Sequence, residues 1–239
     1  MPFEERRTST RTRIVQIGAK LFVEEGYSKT SFSRIAKELD ISLGNITFYF
    51  PTKEHLLAVL CNELCAFQRE LMEKETGEGY STLLSYCLEL TSMTAICEED
   101  PVASDFFRAI YTSPLSLDII RDNDTEKTRA VFEFYRPEWS DSKWIEAENL
   151  VSGIEYGTIM TRESRTPLHL QIEGGLDTIL TLYGVPEDVR RTKIEKVLSM
   201  DYRALGRRIL GEFKDYLTKT NEEALQLAKS RHARNPWRE

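Results

Sequence analysis

The sequence predicts an all-α protein, with a small three-helix head followed by a larger helical body. Three observations lead there. Apolar residues recur with the helical spacing i, i+3, i+4, i+7 through most of the chain. No stretch shows the sustained alternation or Gly-rich turn of a strand pair. Five prolines, in Asp100-Pro101, Ser113-Pro114, Arg136-Pro137, Thr166-Pro167 and Val185-Pro186, cut the second half into helix-length pieces.

Taken in order, the first helix is expected over Thr8–Glu25, behind a frayed arm of residues 1–7. Its inner stripe is Ile14, Ile17, Leu21 and Phe22, and Gly26-Tyr27 closes it. Arg6, Arg7, Arg11 and Arg13 crowd its start, either as a solvated helix end or as phosphate ligands. In the second helix Phe32, Ile35, Ala36 and Leu39 form one buried face, with Ser31 placed to accept from the first-turn N–H groups. Asp40-Ile41 leaves room only for a tight turn. Ser42 caps a third, short helix in which Ile46, Tyr49 and Phe50 turn inward, and Pro51 stops it because proline has no backbone N–H.

A fourth helix runs from Thr52 toward Glu75 on Leu56, Leu57, Leu60, Leu64, Phe67 and Leu71. It is too long for the head alone and joins head to body. Thr76-Gly77-Glu78-Gly79 breaks it. The body helices are expected near 80–98, 102–112, 115–135, 142–163, 168–183 and 187–220, with each proline opening a helix. From Lys229 the chain reads as an exposed helix end and a loose terminus. The head is assigned residues 1–52 and the body 53–239.

A short second helix held on a first one, with its outer face free, is a helix-turn-helix, the device that enters a DNA major groove. On a helical wheel the free face of the third helix is Gly44, Asn45, Thr47 and Phe48, with Leu43 at the start. Gly44 permits close backbone approach. Asn45 suits bidentate pairing with adenine, and Thr47 a base edge or phosphate. Leu43 and Phe48 suit thymine methyl groups or sugars, and would equally serve a protein partner. Ser31, Ser33, Ser42, Tyr49 and Lys53 suit phosphates, Ser42 and Lys53 lying near helix N-termini.

At these residues the chain resembles the TetR family of bacterial transcriptional regulators. The resemblance rests on Ser31, Ile35-Ala36, Ile41-Ser42, Gly44, Ile46, Phe48-Tyr49-Phe50, Pro51 and Thr52-Lys53, and it covers about the first quarter of the chain. Two positions depart from the family pattern. Asp40 stands where glycine is usual, which a turn at positive φ tolerates. Thr47 stands where tyrosine is usual, which implies a different DNA contact. The resemblance implies a homodimer on a palindromic double-stranded operator, released by a small-molecule effector, acting as a repressor or an activator.

For the dimer the expected helices are 142–163, with Leu150, Gly153, Ile154, Gly157 and Met160, and 168–183, with Ile172, Leu176, Ile179, Leu180 and Tyr183. The alternative is that these stripes face the chain's own core. The long helix 187–220 either packs outside such a bundle or replaces one member. For the effector, aromatic residues gather mid-chain, and Phe106, Tyr111, Tyr135, Trp144 and Tyr156 are candidate pocket walls, though aromatics at helical spacing also build plain cores. Glu155, polar on an otherwise apolar helix, fits a hydrophobic or cationic guest.

Net charge is −7, against a protein that coats nucleic acid by bulk attraction. Residues 1–53 hold nine Lys/Arg and six Asp/Glu, a balance of +3; the other 23 and 33 give −10. A mildly basic head on an acidic body fits a DNA-reading module fused to something else. No apolar run is long enough for a membrane span and the start is not a secretory signal, so a cytoplasmic location is expected. Cys61, Cys65, Cys87 and Cys97 form no disulfide framework; Cys61 and Cys65 share a helix face, as buried hydrophobes or, with a third ligand, a metal or redox pair. No cofactor or metal site is expected. The rival readings are a helix-turn-helix turned to binding protein, and an all-helical enzyme. His55, His169 and His232 are far apart and no catalytic motif accompanies them, so no catalytic residue is expected.

Overall fold

The structure is a computed structural model of the chain. It describes the backbone of residues 3–76, 82–160 and 166–233 and, within those, the side chains of residues 10–68, 71, 82–160 and 166–219. Among the described residues there are eleven helices and no strand: α1 Phe3–Glu24, α2 Phe32–Leu39, α3 Leu43–Tyr49, α4 Lys53–Thr76, α5 Leu83–Glu99, α6 Pro101–Thr112, α7 Pro114–Phe132, α8 Asp141–Ile159, α9 Leu168–Leu182, α10 Glu187–Leu198 and α11 Tyr202–Ala233. The protein is all-α, with a helix-turn-helix head and a larger helical body.

The head forms for the local reasons its sequence announces. Ser31 accepts from the Arg34 N–H at 3.1 Å and Ser42 from the Asn45 N–H at 3.2 Å, so each short helix starts on a side-chain cap. Asp40 takes the left-handed conformation, φ 52°, and the Ile41 N–H reaches back to the Ala36 carbonyl at 3.0 Å. Ile14, Phe22, Ile35, Ile46, Leu56, Leu57 and Leu60 are fully buried together. Each such side chain contributes about 1.5–3 kcal/mol through the water it sheds. Phe50 is buried as expected, whereas Tyr49 is half-buried.

Helix α1 begins at Phe3, so the backbone of residues 3–7 is helical rather than an arm. Residues 1–2 and the side chains of Arg6 and Arg7 lie outside the described residues. So do the side chains of the last helical turns, from Thr220 on, and residues 234–239. Lys229–Ala233 are helical.

In the body, α5 is the central helix. Twelve of its residues, from Ser85 to Cys97, are buried on every side, and α4, α6, α8, α9, α10 and α11 pack around it. The helix expected over 187–220 is two. Helix α10 ends at Leu198, and Asp201 restarts the chain by accepting from the Ala204 N–H at 3.0 Å. The break lets α10 lie on α9 and α5 while α11 crosses α5, α4 and α1, tying body to head. Pro101 and Pro114 open helices at the first turn; Pro167 and Pro186 sit one residue earlier, at the caps. Pro137 opens none: it lies in the turn between α7 and α8, and α8 is capped by Ser140.

The mid-chain aromatics largely build core. Phe132 stacks on Tyr183 with ring centroids 4.2 Å apart, and Trp144 and Trp139 close around the same tyrosine. Phe134 is the exception, 85% exposed. Among the described residues no helix is long and apolar enough to cross a membrane. The four cysteines are free; Cys61, Cys87 and Cys97 are buried, and burial pushes the Cys87 thiol up to about 12.

Candidate nucleic-acid interface and body cavity

The outer face of α3 is uncovered. Ser42, Leu43, Gly44, Asn45, Thr47 and Phe48 are all exposed, while Ile46 between them is fully buried and anchors the helix. Leu43 and Phe48 are 48% and 60% exposed, large apolar groups left in water. A Cβ on Gly44 would come no nearer than 3.8 Å to another group, so that backbone is open to a partner. The Thr47 hydroxyl reaches only weakly back, 3.3 Å to the Gly44 carbonyl. Ser31 and Ser33 are exposed on α2 beside this face.

Around it lie exposed cations. Arg11 and Arg13 are exposed on α1, with Arg11 5.3 Å from the Phe50 ring centre. Two further exposed cations, Arg34 and Lys37 on α2, were not picked out from sequence; their places outside the Ile35–Leu39 stripe were the available signal. Arg34 is engaged with Glu38 at 2.8 Å and Glu25 at 3.4 Å.

Lys53 holds a different position from a free phosphate ligand. Its ammonium donates to the carbonyls of Tyr27 at 2.9 Å and Thr30 at 3.0 Å and stands 3.9 Å from the Tyr27 ring centre. Burial there lowers its pKa from the ordinary lysine value. The first residue of α4 thus clasps the turn between α1 and α2. A second clasp comes from the body: Asp105 on α6 accepts from the Ser28 N–H at 2.7 Å and from the Ser28 hydroxyl. Gly26, at φ +104°, brings that turn so close that a Cβ would meet Asp105 at 3.0 Å.

In the body, two adjoining cavities run between α4, α5, α6 and α7. The first, about 30 Å³, is apolar, with Phe67, Phe106 and Phe213 among its walls. The second, about 20 Å³, is polar, with Tyr111, Asp124, Lys127 and Glu155. Leu64, Gln68, Glu89, Met93 and Phe107 line both. Of the sequence candidates, the fold brings together Tyr111, Glu155 and Tyr156, sets Phe106 in the neighbouring cavity, and holds Trp144 in the separate stack on Tyr183, while Tyr135 is half-buried against Phe134.

Glu155 is buried and accepts from the Tyr111 hydroxyl at 3.1 Å. It has company that sequence reading missed. Glu148, two turns back on the same face of α8, is fully buried and accepts from the Tyr183 hydroxyl at 3.1 Å. From α7 come Asp124 and Lys127, and Lys127 pairs with Asp124 and with Glu89 at 3.0 Å. Burial, then the Asp124 charge, pushes the Glu148 carboxyl up to about 8, and burial holds Glu155 far above the carboxylate range. The signal was present: Glu148, Ser152 and Glu155 fall at i, i+4 and i+7, a polar stripe within the buried face of α8.

The remaining expected feature is the interface pair of helices. On α8, Leu150, Gly153 and Gly157 are exposed, and a Cβ added at either glycine would meet nothing within 4 Å. On α9 the expected stripe Ile172, Leu176, Ile179, Leu180 and Tyr183 is wholly buried in the chain's own core. It serves the protomer, because α9 uses that face against α5, α8 and α10. The outward face of α9 carries Leu170, Gly174, Asp177, Thr178 and Thr181 instead.

Comparison with known proteins bears on the head. Residues 14–60 match the family model of bacterial regulatory proteins, tetR family. The chain is 40% identical over 80 residues to the uncharacterized HTH-type transcriptional regulator YuxN of Bacillus subtilis (strain 168), covering 33% of this chain and 27% of that one. It is 35% identical over 57 residues to the probable HTH-type transcriptional regulator YttP of the same organism, covering 24% and 28%. The match therefore spans little more than a quarter of either relative. Among solved structures it is similar to a gamma-butyrolactone receptor (ArpA-like protein), 18% identical over 86% of this chain and 99% of that one, with a TM-score of 0.44. It is also similar to the TetR family protein CprB from S. coelicolor A3(2), 20% identical over 87% and 99%, with a TM-score of 0.43. With its capped α2–α3 pair, its bare outer α3 face and the match over residues 14–60, the head of the chain is a helix-turn-helix of the kind the tetR family model describes.

Proposed function

We propose that the chain is a dimeric transcriptional regulator that reads a palindromic operator with α3 and releases it when a small molecule enters the body. The observation that carries this reading is the bare outer face of α3, anchored by fully buried Ile46 and ringed by exposed cations on α1 and α2. In it, Asn45 and Thr47 address base edges and Leu43 and Phe48 press on thymine methyl groups or sugars. Ser31, Ser33, Ser42 and Tyr49 hold phosphates. Lys53 sets the orientation of the α1–α2 turn and lends its charge. Contacts to phosphate position the head; the neutral face of α3 supplies base choice.

The dimer in this reading forms through the glycine-edged face of α8 and the outward face of α9, and places two heads about 34–36 Å apart. The division into a reading head, residues 1–52, and an effector body, residues 53–239, belongs to the same proposal, as does a place in the cytoplasm. Regulators of this family are typically not enzymes, and no catalytic residue is assigned. Cavities of about 20 and 30 Å³ hold only water-sized groups, so an organic effector enters by parting α4, α5 and α6. Helix α4 lines both cavities and begins at Lys53, and α6 carries Asp105. Both clasps on the α1–α2 turn thus move with the walls of the cavity, which is how entry of a guest changes head spacing.

One observation favours a second reading: Leu43 and Phe48 are large exposed apolar groups, as a protein partner would want. Electrophoretic mobility shifts on the DNA upstream of the chain's own coding sequence separate the two. The proposal expects a saturable shift that random DNA of equal length does not compete away; a module for protein partners expects none.

A further inference from the structure

We propose that Asp124, Glu148 and Glu155 bind one hard divalent cation, of the Mg²⁺, Mn²⁺ or Ca²⁺ class, inside the body between α7 and α8. One carboxylate oxygen from each residue lies within 4.8 Å of those of the other two. An ion with metal–oxygen bonds of about 2.0–2.6 Å spans oxygens at such separations. The three donors are all oxygens, which selects hard ions over the soft metals that thiolates and imidazoles prefer.

Proximity of acids alone would not make a site. The second observation is at Glu148. This residue is fully buried, yet its Oε1 has no hydrogen-bond partner among the described residues. Its other oxygen takes the Tyr183 hydroxyl at 3.1 Å; Thr128, at 3.4 Å, spends its proton better on the Asp124 carbonyl at 2.7 Å. A buried carboxylate oxygen with nothing to accept is costly, and a cation satisfies it.

Charge counting points the same way. Glu89, Asp124, Glu148 and Glu155 meet in the interior around one ammonium, Lys127, which pairs with Glu89 and Asp124. Arg121, the other cation nearby, donates through Nε to the Ser152 hydroxyl. Glu148 and Glu155 thus share with Glu89 and Asp124 the single positive charge of Lys127. Four carboxylates around one ammonium leave an excess of negative charge in the interior, which a bound cation offsets. The adjoining cavity of about 20 Å³ has room for an ion with one water and no more. The site requires neither DNA nor an organic effector, so its test and that of the regulatory reading fail independently.

The experiment is titration of the full chain, stripped with chelator, with Mn²⁺ at about pH 8, where metal competes best with protons. Bound ion is read by electron paramagnetic resonance and by calorimetry. The expected result is one ion per chain, with affinity falling on the order of tenfold or more in Glu148→Gln and in Glu155→Gln, and unchanged in the exposed control Asp141→Asn. No binding by the wild-type chain, or binding by both glutamine variants as tight as by the wild type, would overturn the proposal in favour of shared protons. Should a variant not fold, anomalous scattering from Mn²⁺ in wild-type crystals decides: a peak between the three carboxylates supports the site, and a peak elsewhere or none overturns it.

Discussion

The division of labour in the head rests on single side chains. Asn45 is exposed on α3 with its N–H already spent on the Ser42 cap, so its side-chain amide is what remains to address a base. Asn45→Ala should change which operator bases are preferred while leaving binding to random DNA nearly intact; competition assays with single-base operator variants measure this. Lys53 carries two consequences from one ammonium. Lys53→Ala should weaken binding on every sequence and flatten its salt dependence. It should also lower stability by about 1–2 kcal/mol, because two charge-assisted bonds to carbonyls disappear. Asp40 shows what a sequence discloses at this scale. A residue tolerant of positive φ was expected in the turn, and it sits at φ 52°. Lys53 shows the limit: whether a lysine faces solvent or clasps a neighbouring turn depends on where residues 26 positions away fold back.

At the scale of elements, the caps and apolar stripes that define α2 to α4 are local, so they were legible from the chain. The break between α10 and α11 was not, because Leu198 and Leu205 keep an apolar period across it; only Asp201 acting as a cap marks the restart. The outward and inward faces of α9 were exchanged for a related reason. Periodicity identifies a stripe but not which neighbour it meets, and the buried stripe of α9 meets the chain's own α5. For the proposed dimer, Gly157→Glu is a discriminating change. A Cβ added there meets nothing within 4 Å in the protomer and Gly157 is exposed, so the fold should be kept or slightly stabilised, since glycine disfavours helix by about 1 kcal/mol. Sedimentation should nevertheless show a shift from dimer to monomer; an unchanged dimer would move the interface elsewhere.

For the whole molecule, the buried acids of α7 and α8 predict how stability depends on pH. Glu148 titrates near 8 in the folded chain and near 4.5 when exposed, and Glu155 is raised in the same direction. The folded state therefore holds more protons than the unfolded state between those values. Its stability is fully present below about 4.5 and declines as pH rises through about 8. Asp124 and Glu89 reinforce that trend, and Lys127 opposes it. Thermal melts of metal-free protein from about pH 5 to 8.5 should fall steadily; Glu148→Gln, neutral throughout, should flatten the curve, and a rise with pH would contradict the placement of these acids. This feature depends on tertiary assembly, which is why the charge balance of the chain gave the acidity of the body but not its burial.

The two scales meet at α4. It begins as the clasp on the head and continues as a wall of both body cavities, so occupancy of the body and orientation of α3 share one rigid element. Everything in that coupling presupposes that α3 reads DNA. The direct measurement is fluorescence anisotropy of a labelled duplex from the chain's own upstream region, titrated with protein across a series of salt concentrations. The account predicts saturable binding of two chains per site, with affinity falling log-linearly as salt rises by about 0.9 per phosphate contact. It also predicts that Asn45→Ala redistributes base preference. Absence of salt-dependent binding, or equal affinity for upstream and random DNA, would contradict it.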